Sequence, residues 1–243
     1  MRFDTSRGSI DALSDVSLSI EQGEFVSIIG RSGCGKSTML RAISNLLPPT
    51  AGEITVMGQD SVSYQKRKRF GFVFQEAGLF PWKTAAGNIE MPMKVTGHLD
   101  AAGRAARSRE LLKLVQLEGF EDHYPAQLSG GMRQRVSIAR ALSYEPEILM
   151  MDEPFGALDE FTRKEMHDEL IRIWSSRPLT VLFVTHSLTE ALYLSDRIVV
   201  MAPRPGRVKA VIDVAAPRTT DPAFRRSDAY LDQVAELEAL LDE

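Results

Sequence analysis

Gly30-Arg31-Ser32-Gly33-Cys34-Gly35-Lys36-Ser37, with Thr38 next, has the composition and spacing of a phosphate-binding loop. Its glycines let backbone N–H groups turn inward around phosphate oxygens, and a helix starting near Lys36 would direct its positive end at the same point. In such a loop Lys36 contacts the β- and γ-phosphates, and the Ser37 hydroxyl ligates Mg²⁺. A glycine-rich stretch can also be only a tight turn. Here Phe25-Val26-Ser27-Ile28-Ile29 reads as a buried strand stopped by Gly30, and helical periodicity runs from Lys36 to Leu47 before Pro48-Pro49. Strand, loop and helix follow in the order the chemistry requires. Cys34 occupies a variable loop position and reads as a small filler, not a redox sensor.

A second group lies far along the chain. Ile148-Leu149-Met150-Met151 is an apolar strand that ends in two carboxylates, Asp152 and Glu153. Ligands of open α/β sheets bind where the C-terminal ends of strands emerge. Asp152 suits Mg²⁺, directly or through water, and Glu153 is placed to orient or deprotonate an attacking water. Solvated acids at a strand end are common, but beside a phosphate loop the catalytic reading prevails. The two groups together identify a P-loop NTPase and leave its type open.

Leu128-Ser129-Gly130-Gly131-Met132-Arg133-Gln134-Arg135 narrows the type. Ser129 can cap a helix with the apolar face Met132, Val136, Ala139 and Leu142, and Gly130-Gly131 leaves its first turn bare. That is a second anion-binding helix start, or else an ordinary capped helix. Leu128 to Met132 resembles the signature segment of the ATP-binding cassette (ABC) family, and the other family motifs follow in order from about Leu13 to Val200. The resemblance implies that Gln75 is the Q-loop glutamine that touches Mg²⁺, that Ala157-Leu158-Asp159 is the D-loop reaching across a dimer, and that His186 contacts the γ-phosphate. It implies ATP and Mg²⁺ as cofactors. It also implies a head-to-tail pair with a second copy or a homologous ATPase subunit, in which Ser129, Gly130, Gly131 and Met132 cover the partner's nucleotide.

These groups need a scaffold. The expected fold is α/β, a P-loop (RecA-like) core with a mostly parallel sheet, an antiparallel β part and a helical subdomain. Residues 1–75 and 145–202 are expected to form the core, 76–144 the helical part and 203–243 a C-terminal extension ending in an amphipathic helix, Tyr230-Leu241. Alternation over residues 10–28 around Glu21-Gln22-Gly23 predicts a pair of antiparallel strands. With 44% hydrophobic and 26% charged residues the composition is globular, and a net charge of -4 gives no pull toward nucleic acid. The basic run Lys66-Arg67-Lys68-Arg69 reads as a solvated turn, and no nucleic-acid partner is expected. A single cysteine forms no internal disulfide, the N-terminus has no signal-peptide pattern, and no apolar stretch is long enough to span a bilayer. Transport would therefore need an integral membrane permease as a separate chain, with this one peripheral on the cytoplasmic face and a substrate-binding protein acting indirectly.

Gln75-Glu76, Leu79-Phe80-Pro81-Trp82, Met132 and Ala202-Pro203-Arg204-Pro205-Gly206-Arg207 through Ala216-Pro217-Arg218 resemble the nitrate/sulfonate/taurine-type importers. Trp82 is either a permease contact or a core residue. Two departures stand out. Ser44-Asn45 replaces the family's usual Ala-Gly, which reads as a packing change. The family's full strand before an adenine-stacking aromatic is missing, so that Phe3, the candidate for that aromatic, has almost nothing before it. The rivals are the ATPase of a multi-chain exporter and a soluble ABC ATPase acting on DNA or ribosomes. The interval between Gln75 and Ser129 is too short for the long coiled coil of the DNA-acting type. A nucleotide-binding module without hydrolysis is disfavoured by intact Lys36, Asp152, Glu153 and His186.

Overall fold

Phe25 to Gly30 offers no polar side to water. In the computed structural model, which describes residues 1–5, 8–67, 69–176, 179–216 and 226–242, this segment is a strand buried along its whole length. Lys68 of the basic run and Pro217 and Arg218 of the branch motif lie outside the described residues. Contacts divide the chain into two compact units, Met1–Arg67 with Thr180–Glu243, and Lys68–Leu179.

In the first unit the buried strand is β3 (Phe25–Gly30), after the short strands β1 (Arg2–Thr5) and β2 (Gly8–Asp11). β1 and β2 pair antiparallel with Phe3 opposite Ile10, and β4 (Thr55–Val56) pairs antiparallel with β5 (Gln59–Asp60). Between β5 and the end of this stretch lies α2 (Ser61–Lys66), capped by Asp60. β3 runs parallel to β8 (Thr180–Val184) on one edge and to β9 (Arg197–Ala202) on the other, and β10 (Arg207–Asp213) adds antiparallel to β9. This corrects the hairpin expected around Glu21–Gly23. Both edges of β3 are taken by parallel neighbours, so no strand before the turn can pair with it. Val16, Leu18 and Ile20 do alternate half-buried with exposed residues, as an extended segment would.

The first helix, α1 (Lys36–Ile43), stops four residues short of the expected Leu47. Asn45 takes φ 55°, and Leu46 N–H donates to Arg41 O at 2.8 Å, a left-handed C-terminal cap. Asn45 therefore performs the task of the family's glycine, and its amide also donates to Gln65 Oε1 at 3.0 Å. The Ser44-Asn45 departure thus keeps the helix stop, and is not only a change of packing. Asn45→Ala, which pays the left-handed strain and loses the amide bond, should lower stability by about 1 kcal/mol, while Asn45→Gly should stay near native. Urea unfolding midpoints measure both.

The C-terminal extension contains β10, which was not anticipated, and α8 (Asp228–Asp242), close to the expected helix. Val208, Ala210 and Ile212 are half-buried while Arg207, Val211 and Asp213 are exposed, but Val211 breaks the polar alternation and the flanking Pro203, Pro205 and Gly206 obscure the strand period. Leu237 of α8 is fully buried with Ile29, Ile198, Val200 and Val214, and Tyr230, Val234 and Leu241 complete a stripe at helical spacing.

In the second unit β6 (Phe70–Val73) runs parallel to β7 (Ile148–Asp152), with Val73 opposite Met151. Segment 76–144 contains the helices α3 (Ala85–Thr96), α4 (Ala101–Leu114) and α5 (Gly130–Leu142) and no strand among its described residues. α6 (Glu160–Ser176) follows β7. Val136, Ala139 and Leu142 of α5 are buried as its sequence period requires.

Candidate nucleotide site and signature helix

The loop Gly30–Ser37 leaves the C-terminal end of β3 and enters α1. Gly35 is the N-cap of α1 with φ 96°, and a Cβ there would come within 2.6 Å of Leu13 Cδ2 and 3.0 Å of Ala12 O. Any other residue would be both strained and obstructed. No side chain caps α1, and its first turn carries no acid, so its positive end is not countered from within the helix. Lys36 is buried, and its ammonium donates to Gly30 O at 2.7 Å and to Arg31 O at 3.3 Å. The cation is thus folded into the loop that a phosphate would enter. Cys34 is fully buried with its sulfur 4.0 Å from Lys36 Nζ, in keeping with a filler. Arg31, Ser32 and Gly33 are exposed, and Ser37 and Thr38 half-buried.

His186 follows β8, which is parallel to β3 with Ile28 opposite Val184, so His186 and the loop leave adjacent strands at the same end. His186 is exposed, on a turn fixed by residues the sequence reading passed over. The Thr185 hydroxyl donates to Glu190 Oε2 at 2.5 Å and accepts from Ser187 N–H at 3.0 Å, and both Thr185 and Glu190 are buried. The detectable signal was Glu190 itself, a carboxylate on the buried face of α7 (Leu188–Leu194), which requires a donor nearby.

In the second unit the parallel register of β6 and β7 brings Gln75 and the acid pair out at one end. Gln75 Nε2 donates to Glu153 Oε2 at 3.4 Å. Asp152 is buried, the last residue of β7. Glu153 is half-buried and held at φ 46°, a left-handed conformation that a carboxylate side chain adopts at a cost of about 1 kcal/mol. Strain of this kind aims a side chain where a relaxed strand exit would not. Gln75 and Asp152, which leave β6 and β7 at one end of the second unit, carry hard oxygen donors of the kind Mg²⁺ takes, as the Ser37 hydroxyl does in the first unit, and no group of three His, Cys, Asp or Glu suited to a metal ion occurs among the described residues.

Ser129 is exposed and caps α5, its hydroxyl accepting from Met132 N–H at 3.2 Å. Gly131 packs close to the D-loop, where an added Cβ would lie 3.2 Å from Leu158 Cδ2 and 3.4 Å from Ala157 O. Asp159 accepts from Thr162 N–H at 3.0 Å and from its hydroxyl at 2.7 Å, and these bonds hold its carboxyl below the usual range. It caps the start of α6 while remaining exposed. Two side chains of α5 join it to the segment around Gln75. Gln134, buried, donates to Phe74 O at 3.0 Å, and Arg140 donates to Ala77 O and Gly78 O, each at 2.8 Å. Burial pulls the Arg140 guanidinium below its usual range, yet the group remains charged. Arg135 donates to Val115 O and Gln116 O, both at 3.1 Å, and so satisfies the end of α4.

Trp82 is 71% exposed, which removes the core reading. It sits on a loop stiffened by the fully buried Asn88, whose amide accepts from Phe80 N–H and donates to the carbonyls of Phe80, Lys83 and Thr84. Phe3 is on the β1–β2 ribbon and is 37% exposed.

A phosphate loop after the buried strand β3, an acid pair after β7 and a serine-capped glycine helix start define a nucleotide-hydrolysing α/β protein. The chain belongs to the ABC transporter family, whose domain matches residues 13–156, and is an ABC-type ATPase. It is 42% identical over 228 residues to the aliphatic sulfonates import ATP-binding protein SsuB of Bacillus cereus, covering 94% of this chain and 87% of that one. It is 48% identical over 206 residues to the taurine import ATP-binding protein TauB of Rhizobium johnstonii, covering 85% and 78%. The dimeric, post-hydrolysis structure of the ATP-binding cassette MJ0796 bound to ADP and Pi superposes with a TM-score of 0.82 at 36% identity, covering 88% of this chain and 96% of that one.

Proposed function

We propose that this chain is the ATP-hydrolysing subunit of an importer for a small anion such as a sulfonate, taurine or nitrate, and that it works as a head-to-tail dimer on a separate membrane permease. The observation that carries this reading is the exposed Ser129–Gly130 start of α5, bonded through Gln134 and Arg140 to the chain on either side of Gln75. A helix start aimed outward is a site for another subunit's anion. Its rigid attachment to the loop bearing Trp82 supplies a path from nucleotide to permease. No helix among the described residues is long and apolar enough to cross a membrane, so the path for cargo would belong to another chain, with this one peripheral on the cytoplasmic face.

In this reading Lys36 and the loop amides bind the β- and γ-phosphates, and Phe3 stacks on adenine. Ser37, Gln75 and Asp152 would hold Mg²⁺, which supplies charge neutralisation on the phosphate oxygens. Glu153 orients the attacking water and takes its proton, and His186, fixed by Thr185 and Glu190, contacts the γ-phosphate. Ser129, Gly130, Gly131 and Met132 close over the partner's nucleotide, with Asp159 at the same contact. ATP draws the dimer shut by the charge it presents to these helix starts, and hydrolysis removes that charge. A substrate-binding protein would select cargo without touching this chain.

Pull-down of the tagged chain from gently solubilised membranes of its source tests the transport reading. A co-purifying multi-span permease is the expected partner, and recovery with only ribosomes, DNA or soluble proteins would overturn it. The trans role of the signature has its own check. Ser129→Arg should leave ATP binding by the single chain within about threefold of native while abolishing ATP-driven dimerisation in light scattering, since a bulky cation there removes the cap and obstructs closure. Dimerisation that survives the substitution would remove the signature from the partner's site.

A further inference from the structure

The end of α8 is held by the phosphate loop. Its stripe is anchored by Leu237, but its last turn stands beside a cavity of about 350 Å³ lined by Arg31, Met201, Pro203, Lys209 and Leu241. There it is held by two cations. Lys209 Nζ donates to Leu240 O at 2.8 Å, and Arg31 Nε donates to Leu241 O at 2.7 Å. A terminal nitrogen of Arg31 also reaches Asp242 O and Asp242 Oδ1, each at 3.3 Å. The last carbonyls of a helix lack partners within it and carry its negative end, and α8 has no basic residue of its own in that turn. Arg31 and Lys209 supply what the helix lacks.

Arg31 belongs to the loop Gly30–Ser37, and it is gripped from two sides. Its carbonyl accepts from Lys36 Nζ, and its guanidinium is bound to α8. When the Lys36 ammonium turns to a phosphate it must leave Gly30 O and Arg31 O, and the outer grip on Arg31 remains. We infer that Arg31 is a positioning residue for nucleotide binding that acts through the carbonyl end of α8, holding the outer wall of the phosphate loop while Lys36 engages the phosphates. This gives the C-terminal helix a task beyond covering the sheet, and it rests on the reading of the loop as an ATP site.

The test is a double-mutant cycle on the full chain, read by ATP titration and by steady-state hydrolysis. Its corners are the native chain, Arg31→Ala, a chain ended after Ala239, and the two changes together. Each single change should weaken ATP binding about threefold, in line with an exposed charged contact, and should raise KM more than it alters kcat. The combined chain should bind no more weakly than either single one, because both changes remove one contact. Arg31→Lys should recover part of the loss. Losses that multiply would place Arg31 directly on the nucleotide, and native affinity in the shortened chain would leave α8 without a role; either result overturns the inference. Should the shortened chain not fold by circular dichroism, Asp242→Arg keeps the helix and sets like charges against Arg31. It should weaken ATP binding in the native background but not with Arg31→Ala, and an equal effect in both backgrounds overturns the inference. A native chain that binds no ATP overturns the proposed function itself and takes this inference with it.

Discussion

Lys36→Ala should abolish ATP binding at concentrations where the native chain is saturated, a loss of about a hundredfold or more. The ammonium is the loop's only buried cation among the described residues, and hydrogen bonds to charged groups contribute about 1.5–3 kcal/mol each. The substitution also has an effect before nucleotide arrives. Lys36 joins Gly30 O and Arg31 O from within, so its removal takes a donor from both carbonyls, with Cys34 N–H still donating to Arg31 O at 3.2 Å, and loosens the cradle. Titration with a fluorescent ATP analogue measures the loss. Affinity within tenfold of native would mean that the loop amides alone carry the phosphates.

Glu153→Gln should leave ATP binding intact and reduce hydrolysis by about a hundredfold to ten-thousandfold, the usual contribution of a positioned general base. The amide has the shape of the carboxylate and can keep the contact with Gln75, so the left-handed backbone at this position is unchanged. What it loses is the capacity to accept a proton from water. With hydrolysis blocked, the closed state persists, and light scattering should report an ATP-dependent dimer that the native chain shows only transiently. Rapid turnover by this variant would sink the role given to Glu153. Glu153→Gly should be equally inactive but more stable in urea than Glu153→Gln, because glycine adopts φ 46° without cost.

The chemistry was more legible than the scaffold that carries it. Gly30 to Ser37 announces itself because its glycines, Lys36 and Ser37 fall at the spacing a phosphate requires, and Asp152-Glu153 because two acids after an apolar strand gain a use in a chain that also has such a loop. The hairpin expected around Glu21–Gly23 failed because alternation reports an extended chain and is silent on its partner, which here depends on β8 and β9, more than 150 residues away. α1 ended early because asparagine can take the left-handed cap that glycine usually fills, and residue type alone does not say when it will. Trp82 was undecidable from sequence, since an indole serves a core or an interface equally well, and only its exposure separates the two. Glu190, Thr185, Gln134 and Arg140 went unnoticed for a common reason. None shows its role in a motif of its own: Gln134 and Arg140 bond to backbone carbonyls, which have no residue-type signal, and Thr185 and Glu190 bond to each other to fix the turn that carries His186.

Gln134 and Arg140 have a thermodynamic corollary. Three bonds of 2.8–3.0 Å tie α5 to Phe74, Ala77 and Gly78, so in the function proposed above a shift imposed near Trp82 would be carried along α5 toward Ser129. Linkage is symmetrical. If closing on ATP moves the permease, the permease's conformation must alter the affinity for ATP by the same factor. A transporter built on this chain would therefore report the state of its permease to its own fuel site, as a change in how tightly ATP is held.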